Sequence, residues 1–540
     1  MAQIRARAWL SSADYPERSL PELMAKPNVG LCLSGGGTRA TCAAMGYMRG
    51  LLELGLLERF RYISAVSGGS WALLPYSYYS SGASSDAELL GDILEPQQLD
   101  RATLRAELPS SYLGHCAAQS FRDNLFDTIR SEGPGLAWVR AAGETFLQPW
   151  GLAGPGAARS FSWSGATRDA IVARNAELPG YAEGGVGPEE FALVRPGRPY
   201  PIVSASLLGP EPFHELARLD PVGFEFTPLY AGVRHEREVS YAYEALGEMR
   251  RRVGGGLVEP LGIGGAGPGW MDDRAEQELT LELPWKPTDL SFVAGSSSCA
   301  YASVMAAGVP TPTGLIGRVP WLFYWAPRAG NLETARPFEF GDGGVIDNFG
   351  IYALLQREVE TIVVLVNTKQ PLSVDWNAGE GSYQPHIDPY IPPMFGVHEP
   401  RNAIALHRNQ VFETEEFGAL VNTLQAAKLD ERPVIAVREH RTVDNPWWGI
   451  RGGRKVRVCW VYLDRTPAFE AALPQATQAA LALGRGKLRG GPFVDFPNYK
   501  TIGANRLSLV RFTPEQIRLL ANYCSWVVLQ ERELFESLLR

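Results

Sequence analysis

The chain has 540 residues, a formal net charge of −8 and a hydrophobic fraction of 45%. Such a share of apolar side chains is typical of a globular protein with a large core, and it excludes a disordered or fibrous chain. The acidic balance argues against nucleic acid as a partner and against simple electrostatic docking on anionic membranes, because both need clustered Lys and Arg.

The six cysteines are widely spaced and include no C-x-x-C pair, so we expect a reducing compartment and no disulfide framework. No N-terminal apolar run has the length of a signal peptide, and no stretch reaches the roughly 18 apolar residues of a transmembrane helix. The prediction is a cytoplasmic protein with peripheral membrane contact. Export by a route without a cleavable signal stays open.

The predicted elements begin with a polar segment to about residue 26, which we expect to wrap the surface. An apolar strand at residues 29–33 leads into the glycine run 34–37, and residues at helical spacing follow over 40–55. A second strand at residues 62–66 runs into another glycine turn. This alternation of strand, glycine turn and helix is typical of a parallel α/β sheet.

The alternation is lost over residues 76–197, which we interpret as an insertion that forms a cap or lid. A strand pattern returns at residues 200–207, and residues 253–269 are glycine-dense and predict a mobile loop. Residues 361–366 (TIVVLV) form a continuous β-branched run that is typical of a buried strand. The prediction is a single domain over residues 1–540, with the cap as an insertion within it.

The first glycine site, residues 34–39 (SGGGTR), leaves a strand and opens a helix. Three consecutive glycines expose backbone N–H groups at the positive end of a helix dipole, where an anion can bind. The loop lacks the Gly-Lys-Ser/Thr of a P-loop and the G-x-G-x-x-G of a dinucleotide site. It is a candidate site for a phosphate or a developing oxyanion. The alternative is that the glycines only allow tight packing of strand against helix.

The second site, residues 65–69 (AVSGG), is a variant of the G-x-S-x-G nucleophile elbow with Ala65 in the first position. A serine on a sharp strand-to-helix turn needs small neighbours so that its oxygen protrudes, which makes Ser67 a candidate nucleophile. The pattern alone is typical of an ordinary turn. An anion loop about thirty residues upstream is, however, the arrangement of acyl hydrolases.

The third site, residues 341–348 (GDGGVIDN), places Asp342 between glycines, ahead of a predicted helix and the strand at 361–366. An aspartate in this setting is commonly a turn residue. With a candidate serine nucleophile upstream, it also becomes a candidate general base.

Together these motifs resemble those of the patatin-like acyl hydrolases, and more closely those of the catalytic domain of group IV cytosolic phospholipase A2. SGGGTR resembles the family's oxyanion loop and following arginine, residues 67–71 (SGGSW) its nucleophile turn, and Asp342-Gly343-Gly344 with Asn348 its aspartate turn. Weaker likenesses extend the resemblance over most of residues 28–530, at residues 224–228 (FEFTP), 295–298 (GSSS) and 496–499 (FPNY).

The resemblance implies an α/β fold of the patatin and cytosolic phospholipase A2 type: a three-layer arrangement with helices on both faces of the sheet and a cap built from insertions. It implies a lipid acyl hydrolase of the phospholipase A or lysophospholipase type, which cleaves fatty acyl esters of glycerophospholipids through an acyl-serine intermediate. No cofactor and no metal are implied.

The resemblance also assigns roles to individual residues. Ser67 would be the nucleophile, and Asp342 would take its proton directly, without a histidine. The N–H groups of Gly36 and Gly37 would hold the oxyanion, and Arg39 would pair with the substrate phosphate. An aspartate at its usual pKa of about 3.9 is a poor base, so we expect either burial that raises its pKa or a strong oxyanion hole.

Two alternatives stay open. A Ser–Asp–His triad suits the chain order, because His386, His398, His407 and His440 all follow Asp342. None of these histidines lies in a recognisable catalytic setting. The other alternative is a non-catalytic lipid- or protein-binding member of the fold, although the intact motifs argue against it.

Residues 446–455 (PWWGIRGGRK) combine Trp447 and Trp448 with three cations. Such a combination suits contact with a lipid surface, and the alternative is a hairpin whose tryptophans pack on the sheet. The expected partners are a phospholipid substrate and a transiently contacted membrane, with no nucleic acid. No pattern indicates an oligomeric state.

Overall fold

The structure is a computed structural model that describes residues 3–119, 121–132, 136–178, 181, 187–210, 216–218, 220–243, 247–284, 288–300, 319–399, 406–485, 489–501 and 511–540. Its strands are β1 (Gln3–Leu10), β2 (Val29–Leu33), β3 (Tyr62–Val66), β4 (Ser160–Ser162), β5 (Phe191–Leu193), β6 (Tyr200–Pro210), β7 (Leu216–Arg218), β8 (Val222–Phe226), β9 (Ala231–Val233), β10 (Arg237–Tyr243), β11 (Gly247–Val253), β12 (Gly256–Val258), β13 (Trp270–Met271), β14 (Glu276–Glu282), β15 (Trp321–Tyr324), β16 (Gly330–Asn331), β17 (Arg336–Asp342), β18 (Thr361–Val366), β19 (Ile435–Arg441) and β20 (Lys455–Tyr462). Its helices are α1 (Pro21–Met24), α2 (Gly37–Glu53), α3 (Ser70–Tyr78), α4 (Asp86–Leu90), α5 (Arg101–Arg105), α6 (Gly114–Ala117), α7 (Phe121–Glu132), α8 (Ala137–Phe146), α9 (Gly165–Asn175), α10 (Leu290–Ser297), α11 (Ile351–Gln356), α12 (Ile391–Met394), α13 (Glu416–Leu429), α14 (Pro467–Ala471), α15 (Gln475–Arg485), α16 (Pro514–Gln530) and α17 (Arg532–Leu538).

The central sheet has the strand order β14-β1-β12-β9-β8-β6-β3-β2-β18-β20-β19. Its middle strands, from β6 through β3, β2 and β18 to β20, run parallel, whereas the strands on either side pair in antiparallel fashion. Every residue of β2 and β3 is buried, as expected for strands that are covered on both faces. The predicted α/β class is confirmed, and the sheet is mixed rather than wholly parallel.

The helix that follows the first glycine site, α2, packs closely along α16, the second-last helix of the chain. A Cβ at Gly46 of α2 would lie 2.2 Å from the carbonyl oxygen of Ala521 in α16, and Ser525 donates a 2.8 Å hydrogen bond to the carbonyl of Gly46. Only glycine allows this approach, so α16 is fixed against the helix that carries the candidate oxyanion loop.

The N-terminal segment differs from its prediction, because β1 is an interior strand of the central sheet between β14 and β12. Along β1 exposed and buried positions alternate. Charged residues such as Arg5 and Arg7 face outward, and the small apolar residues face the core. Because the charged residues make the segment polar overall, its alternation of exposed and buried residues was not recognised in the sequence. Such a two-residue period is typical of a half-buried strand. Glu17, also expected at the surface, is fully buried.

The glycine-dense residues 253–269 were expected to form a mobile loop, and the structure places β12 within them instead. β12 pairs with β1 on one side and β9 on the other. Gly254 and Gly255, with φ of 78° and 106°, make the turn that leads from β11 into β12. Left-handed backbone at these positions explains the glycines without any need for mobility.

Among its described residues, the segment 76–197 contains the helices α4 to α9 together with the β4–β5 pair. Its α8 packs on α10, and α4 and α6 pack on α2. Trp71 of α3 stacks on Phe146 at the end of α8, with ring centroids 3.8 Å apart. The segment therefore covers helices next to the candidate nucleophile, and its role as a cap stays a prediction.

No helix in the described ranges is both long and apolar enough to cross a bilayer. All six cysteines are unpaired and buried.

Candidate active site

Ser67 and Asp342 are 275 positions apart in sequence, and a single strand, β6, brings them together. β3 runs parallel to β6 and ends at the pair Val66–Ser204. β17 runs antiparallel to β6 and ends at the next position, Asp342–Ala205. Because β8 occupies the other edge of β6 over this stretch, β3 and β17 meet end to end on one edge. The register of β6 thus places the serine turn directly against the aspartate.

Ser67 lies in a tight turn between β3 and α3, with φ of 52°. This left-handed conformation is uncommon for a residue with a side chain and is found where a turn must present a group sharply. Its Oγ donates a 2.8 Å hydrogen bond to Oδ2 of Asp342. The next residue must be glycine, because a Cβ at Gly68 would lie 2.1 Å from the carbonyl oxygen of Gly37.

Asp342 is buried, and its carboxylate has two close donors. Oδ1 accepts the N–H of Gly344 at 2.8 Å, and Oδ2 accepts the hydroxyl of Ser67. Burial raises the pKa of Asp342 from 3.8 to about 6, although the hydrogen bonds from Gly344 and Ser67 lower it. A higher pKa makes the carboxylate a better proton acceptor near neutral pH.

The first glycine site forms the N-terminus of α2. Gly35 donates its N–H to the carbonyl of Asn348 at 2.8 Å, so that donor is already engaged. Gly36 caps the helix and Gly37 is its first residue. The first N–H groups of a helix have no acceptor within the helix, and they favour negative charge. Thr41 donates a 2.8 Å hydrogen bond to the carbonyl of Gly68, which holds this loop against the serine turn.

Arg39 is buried beneath the glycine loop. Its Nε donates to the carbonyl of Asn367 at 3.0 Å and its Nη1 to the carbonyl of Tyr499 at 2.6 Å. Burial lowers the pKa of Arg39 to about 10, while the charge of Asp388 raises it. A Cβ at Gly36 would lie 2.6 Å from Arg39 Nη2. The guanidinium therefore packs against the backbone of the glycine loop. Its contact with a substrate phosphate stays a prediction.

One contact of the candidate nucleophile, Ser67, was not predicted from the sequence. The N–H of Ser67 donates to Oγ of Ser297 at 2.9 Å, and that hydroxyl donates to the carbonyl of Ser204 at 2.7 Å. Residues 295–298 (GSSS) are only weakly similar to the family, and the sequence assigns them no role. Their spacing alone does not show which hydroxyl reaches the serine turn.

The four histidines downstream of the aspartate lie in different environments. His440 is buried on β19, where its Nδ1 is 2.7 Å from Oε2 of Glu416. His386 stacks on a tryptophan ring, and His398 and His407 are exposed. Within the described residues, none of the hydrogen bonds made by the serine–aspartate pair involves a histidine.

The two tryptophans of residues 446–455 pack against other side chains. Trp448 is 5% exposed and stacks on Tyr352 with ring centroids 4.3 Å apart. Trp447 is partly buried, and the guanidinium of Arg408 lies 3.7 Å from its ring centroid. These contacts favour the packed-hairpin interpretation for Trp448. No group of three or more His, Cys, Asp or Glu side chains among the described residues is arranged to hold a metal ion.

Comparison with known proteins identifies relatives. Residues 31–172 match the Patatin family, described as patatin-like phospholipase; this range includes Ser67 and the glycine loop and ends before Asp342. Cytosolic phospholipase A2 zeta from Homo sapiens is 42% identical over 71 residues, which cover 13% of this chain and 8% of that protein. Cytosolic phospholipase A2 beta from Homo sapiens is 34% identical over 107 residues, which cover 19% and 12%.

Among solved structures, human GIVD cytosolic phospholipase A2 is similar, with 14% sequence identity and a TM-score of 0.42, covering 98% of this chain and 61% of that chain. The chain thus spans less than two thirds of the length of each of these relatives. The resemblance predicted from the three motifs is confirmed: the chain is similar to the patatin-like phospholipases over residues 31–172 and to the cytosolic phospholipases A2 over shorter stretches of sequence.

Proposed function

We propose that the protein is a serine acyl hydrolase of the phospholipase A or lysophospholipase type, which cleaves fatty acyl esters of glycerophospholipids. The observation that carries this proposal is the 2.8 Å hydrogen bond from Ser67 Oγ to the buried carboxylate of Asp342, beside a glycine-lined helix N-terminus. The patatin-like match over residues 31–172 supports a lipid ester as the substrate class.

In the first half of the proposed reaction, Ser67 Oγ attacks the ester carbonyl carbon while its proton passes to Asp342 Oδ2. The carbonyl oxygen becomes an oxyanion, which the N–H groups of Gly36 and Gly37 stabilise. The intermediate then collapses, the ester C–O bond breaks, and the departing alcohol takes the proton back from Asp342. The products of this half are an acyl-serine and a lysophospholipid or a deacylated glycerophosphodiester.

In the second half, Asp342 takes a proton from a water molecule that attacks the acyl-serine carbonyl. The same two N–H groups stabilise the new oxyanion, and collapse releases the fatty acid with the proton returned to Ser67. An alcohol in place of water would give transacylation by the same steps. Arg39 is proposed to add positive charge beside the loop and to attract the substrate phosphate.

Contact with a lipid surface is proposed to be transient and peripheral, on a protein that works in the cytoplasm. Of the two tryptophans predicted to contribute, Trp447 is the one that retains partial exposure, and the guanidinium groups of Arg408 and Arg237 lie 3.7 Å and 5.4 Å from its ring centroid. A tryptophan ring with neighbouring cations suits the region between lipid head groups and acyl chains.

The direct serine–aspartate contact supports a dyad rather than a triad. In a Ser–Asp–His triad the imidazole lies between the other two groups, whereas here Ser67 donates to Asp342 itself. The non-catalytic alternative is less well supported, because a strained serine and a buried carboxylate with a raised pKa are features of reactive sites.

The test of this function is fatty-acid release from mixed phospholipid vesicles with EDTA present, alongside labelling by a fluorophosphonate probe that bonds to the serine with loss of fluoride. We expect release and a single labelled residue, Ser67, because neither step requires a metal. Release that EDTA abolishes, or a wild-type protein that neither turns over esters nor takes up the probe, would refute the proposal.

The pH dependence of kcat/KM should follow the ionisation of the buried carboxyl group of Asp342. Only ionised Asp342 can accept the proton, and its pKa is raised from 3.8 to about 6. We therefore expect kcat/KM to be flat at neutral pH and to fall about tenfold per unit below pH 6. Measurement with a neutral, monomeric ester between about pH 4.5 and pH 8 avoids titration of the substrate.

A control variant is needed, because burial also raises the pKa of Asp347 to about 6. Its carboxylate accepts N–H groups of the local turn, including that of Gly350 at 2.8 Å, and does not contact Ser67. Asp347→Asn should keep the midpoint of the profile. A wild-type midpoint near pH 4, or a midpoint that moves in this variant, would contradict the assignment to Asp342.

A further inference from the structure

We propose that Ser297 is a positioning residue that holds the nucleophile turn in its reactive conformation throughout the reaction. The inference rests on the proposed acyl-transfer function and adds a residue to it. Ser297 ends α10 and is fully buried, 230 positions away from Ser67 in sequence.

The backbone of Ser67 needs such a support. Its φ of 52° lies in the left-handed region, which a residue with a Cβ occupies only when surrounding contacts hold it there. Two side-chain hydroxyls form hydrogen bonds with the backbone carbonyl and the backbone N–H of Ser67. Ser70 donates to the Ser67 carbonyl at 2.6 Å, and Ser297 accepts the Ser67 N–H at 2.9 Å. The first bond is local to the turn, whereas the second ties it to another element.

The orientation of the Ser297 hydroxyl is fixed by its second partner. Its proton is donated to the carbonyl of Ser204 at 2.7 Å, so a lone pair is left for the N–H of Ser67. Ser204 is the β6 residue that pairs with Val66, and the next residue pairs with Asp342. Ser297 therefore anchors the nucleophile to the same strand that positions the base.

The hydrogen bond from the Ser67 N–H to Ser297 does not involve the hydroxyl proton that Ser67 gives up in the proposed reaction. In the free enzyme, the hydroxyl of Ser67 is also held by Asp342. In the acyl-serine, Oγ carries the acyl group and has no proton to donate, so that bond is lost. The N–H bond to Ser297 remains, and it keeps the acylated turn beside Asp342 and the glycine loop while water attacks.

The neighbours of Ser297 provide matched controls. Ser296, Ser297 and Ser298 are consecutive and equally buried. Ser298, which follows α10 directly, donates a 2.6 Å hydrogen bond to the carbonyl of Ala294 in that helix. The Ser296 hydroxyl has no partner among the described residues. Alanine at position 297 thus removes the bond to Ser67, and alanine at position 298 removes a side-chain hydrogen bond elsewhere. Alanine at position 296 removes no hydrogen bond.

The three alanine variants should be compared in the full chain. We expect Ser297→Ala to lower kcat by about 10- to 100-fold with KM little changed, because the substrate still binds but the nucleophile is displaced. The same variant should speed amide hydrogen exchange in a peptide that contains residues 67–69. Ser298→Ala should lower the thermal midpoint by a similar amount to Ser297→Ala, with wild-type kcat and exchange at the turn. Ser296→Ala should change neither.

The outcomes separate this inference from the function on which it rests. If the wild type turns over esters and Ser297→Ala matches it in kcat, the inference is wrong and the hydrolase proposal stands. Equal losses of kcat in Ser297→Ala and Ser298→Ala would also overturn the inference, because they would show a general structural effect. If wild-type Ser67 neither hydrolyses esters nor reacts with a fluorophosphonate, both proposals fail together.

Discussion

Replacing Ser67 with alanine or Asp342 with asparagine should lower kcat/KM for a phospholipid ester by at least about 10³-fold. The first change removes the attacking oxygen, and the second leaves a carboxamide that cannot take a proton from Oγ. The double variant should be no worse than either single variant, because the two groups act as one unit. Fatty-acid release from vesicles measures all three variants.

The asparagine variant should be inactive without being less stable. The pKa of Asp342 is raised in the folded protein, from 3.8 to about 6, so the folded state binds the proton more tightly than the unfolded state. The stability that this gives is fully present below the unfolded pKa and is lost as pH rises through the folded pKa. The native protein therefore carries a buried negative charge at neutral pH. Neutral asparagine removes that charge. Above about pH 7 the thermal midpoint of Asp342→Asn should therefore be equal to or higher than that of the wild type.

The histidines decide between the two mechanisms. Alanine at His386, His398 or His407 should leave kcat/KM within about twofold of wild type, and the buried His440 is better replaced by glutamine, which can keep a hydrogen bond to Glu416. Activity is compared between folded samples of equal thermal midpoint. A loss of about 10³-fold at one histidine would transfer the proposed mechanism from a dyad to a triad.

Replacing Arg357 with alanine should destabilise the protein by about 3–5 kcal/mol, because it leaves one fully buried and one largely buried carboxylate without their partner. The Arg357 side chain is fully buried; its Nε donates to Glu17 at 2.8 Å and its Nη2 to Glu225 at 2.7 Å. Its guanidinium carbon also lies 4.2 Å from the ring centroid of Tyr15. Glu17 and Tyr15 both follow β1, so the N-terminal segment should be the first part to become sensitive to protease.

Two comparisons test the cause of that loss. Arg451→Ala removes an exposed arginine that pairs with Glu358, and it should leave the midpoint of chemical unfolding unchanged. Combining Arg357→Met with Glu17→Gln and Glu225→Gln should be less harmful than Arg357→Ala, because it removes the stranded charges together with their partner. A triple variant as unstable as the single variant would show that lost packing, rather than unpaired charge, is the cause.

The fold was predictable where one local pattern dominated. Strands β2, β3 and β18 begin and end at the predicted residues, because continuous apolar runs between glycine turns have few alternatives in a parallel sheet. The interior position of β1 was missed, since its charged outward residues masked the two-residue period. The antiparallel flanks depend on pairings between distant segments, which no local pattern encodes.

The candidate site was predictable in its residue types and less so in its assembly. The serine and glycine turns follow the ends of adjacent parallel strands, so their proximity is expected from the topology. The residues and the family resemblance both indicated Asp342 as a candidate base. Its position depends on the antiparallel register of β17 on β6, which neither of them predicted. The contact of Ser297 with Ser67 could not be predicted in either way. The sequence does not show which of three consecutive serines faces the serine turn, because that depends on the position of α10.

The meeting of β3 and β17 on one edge of β6 has a consequence for how the chain tolerates change. Hydrogen bonds to β6 fix the ends of both strands, so the loops that join the elements between β6 and β17 can change length without moving Ser67 relative to Asp342. The strand β8 and the helix α10 in that stretch cannot, because β8 pairs with β6 and Ser297 of α10 bonds to the serine turn. A single residue inserted between Ser204 and Ala205 would instead shift one partner by about 3.3 Å and turn the following side chains to the opposite face. Natural length variation should therefore concentrate in those loops and be absent from the middle of β6.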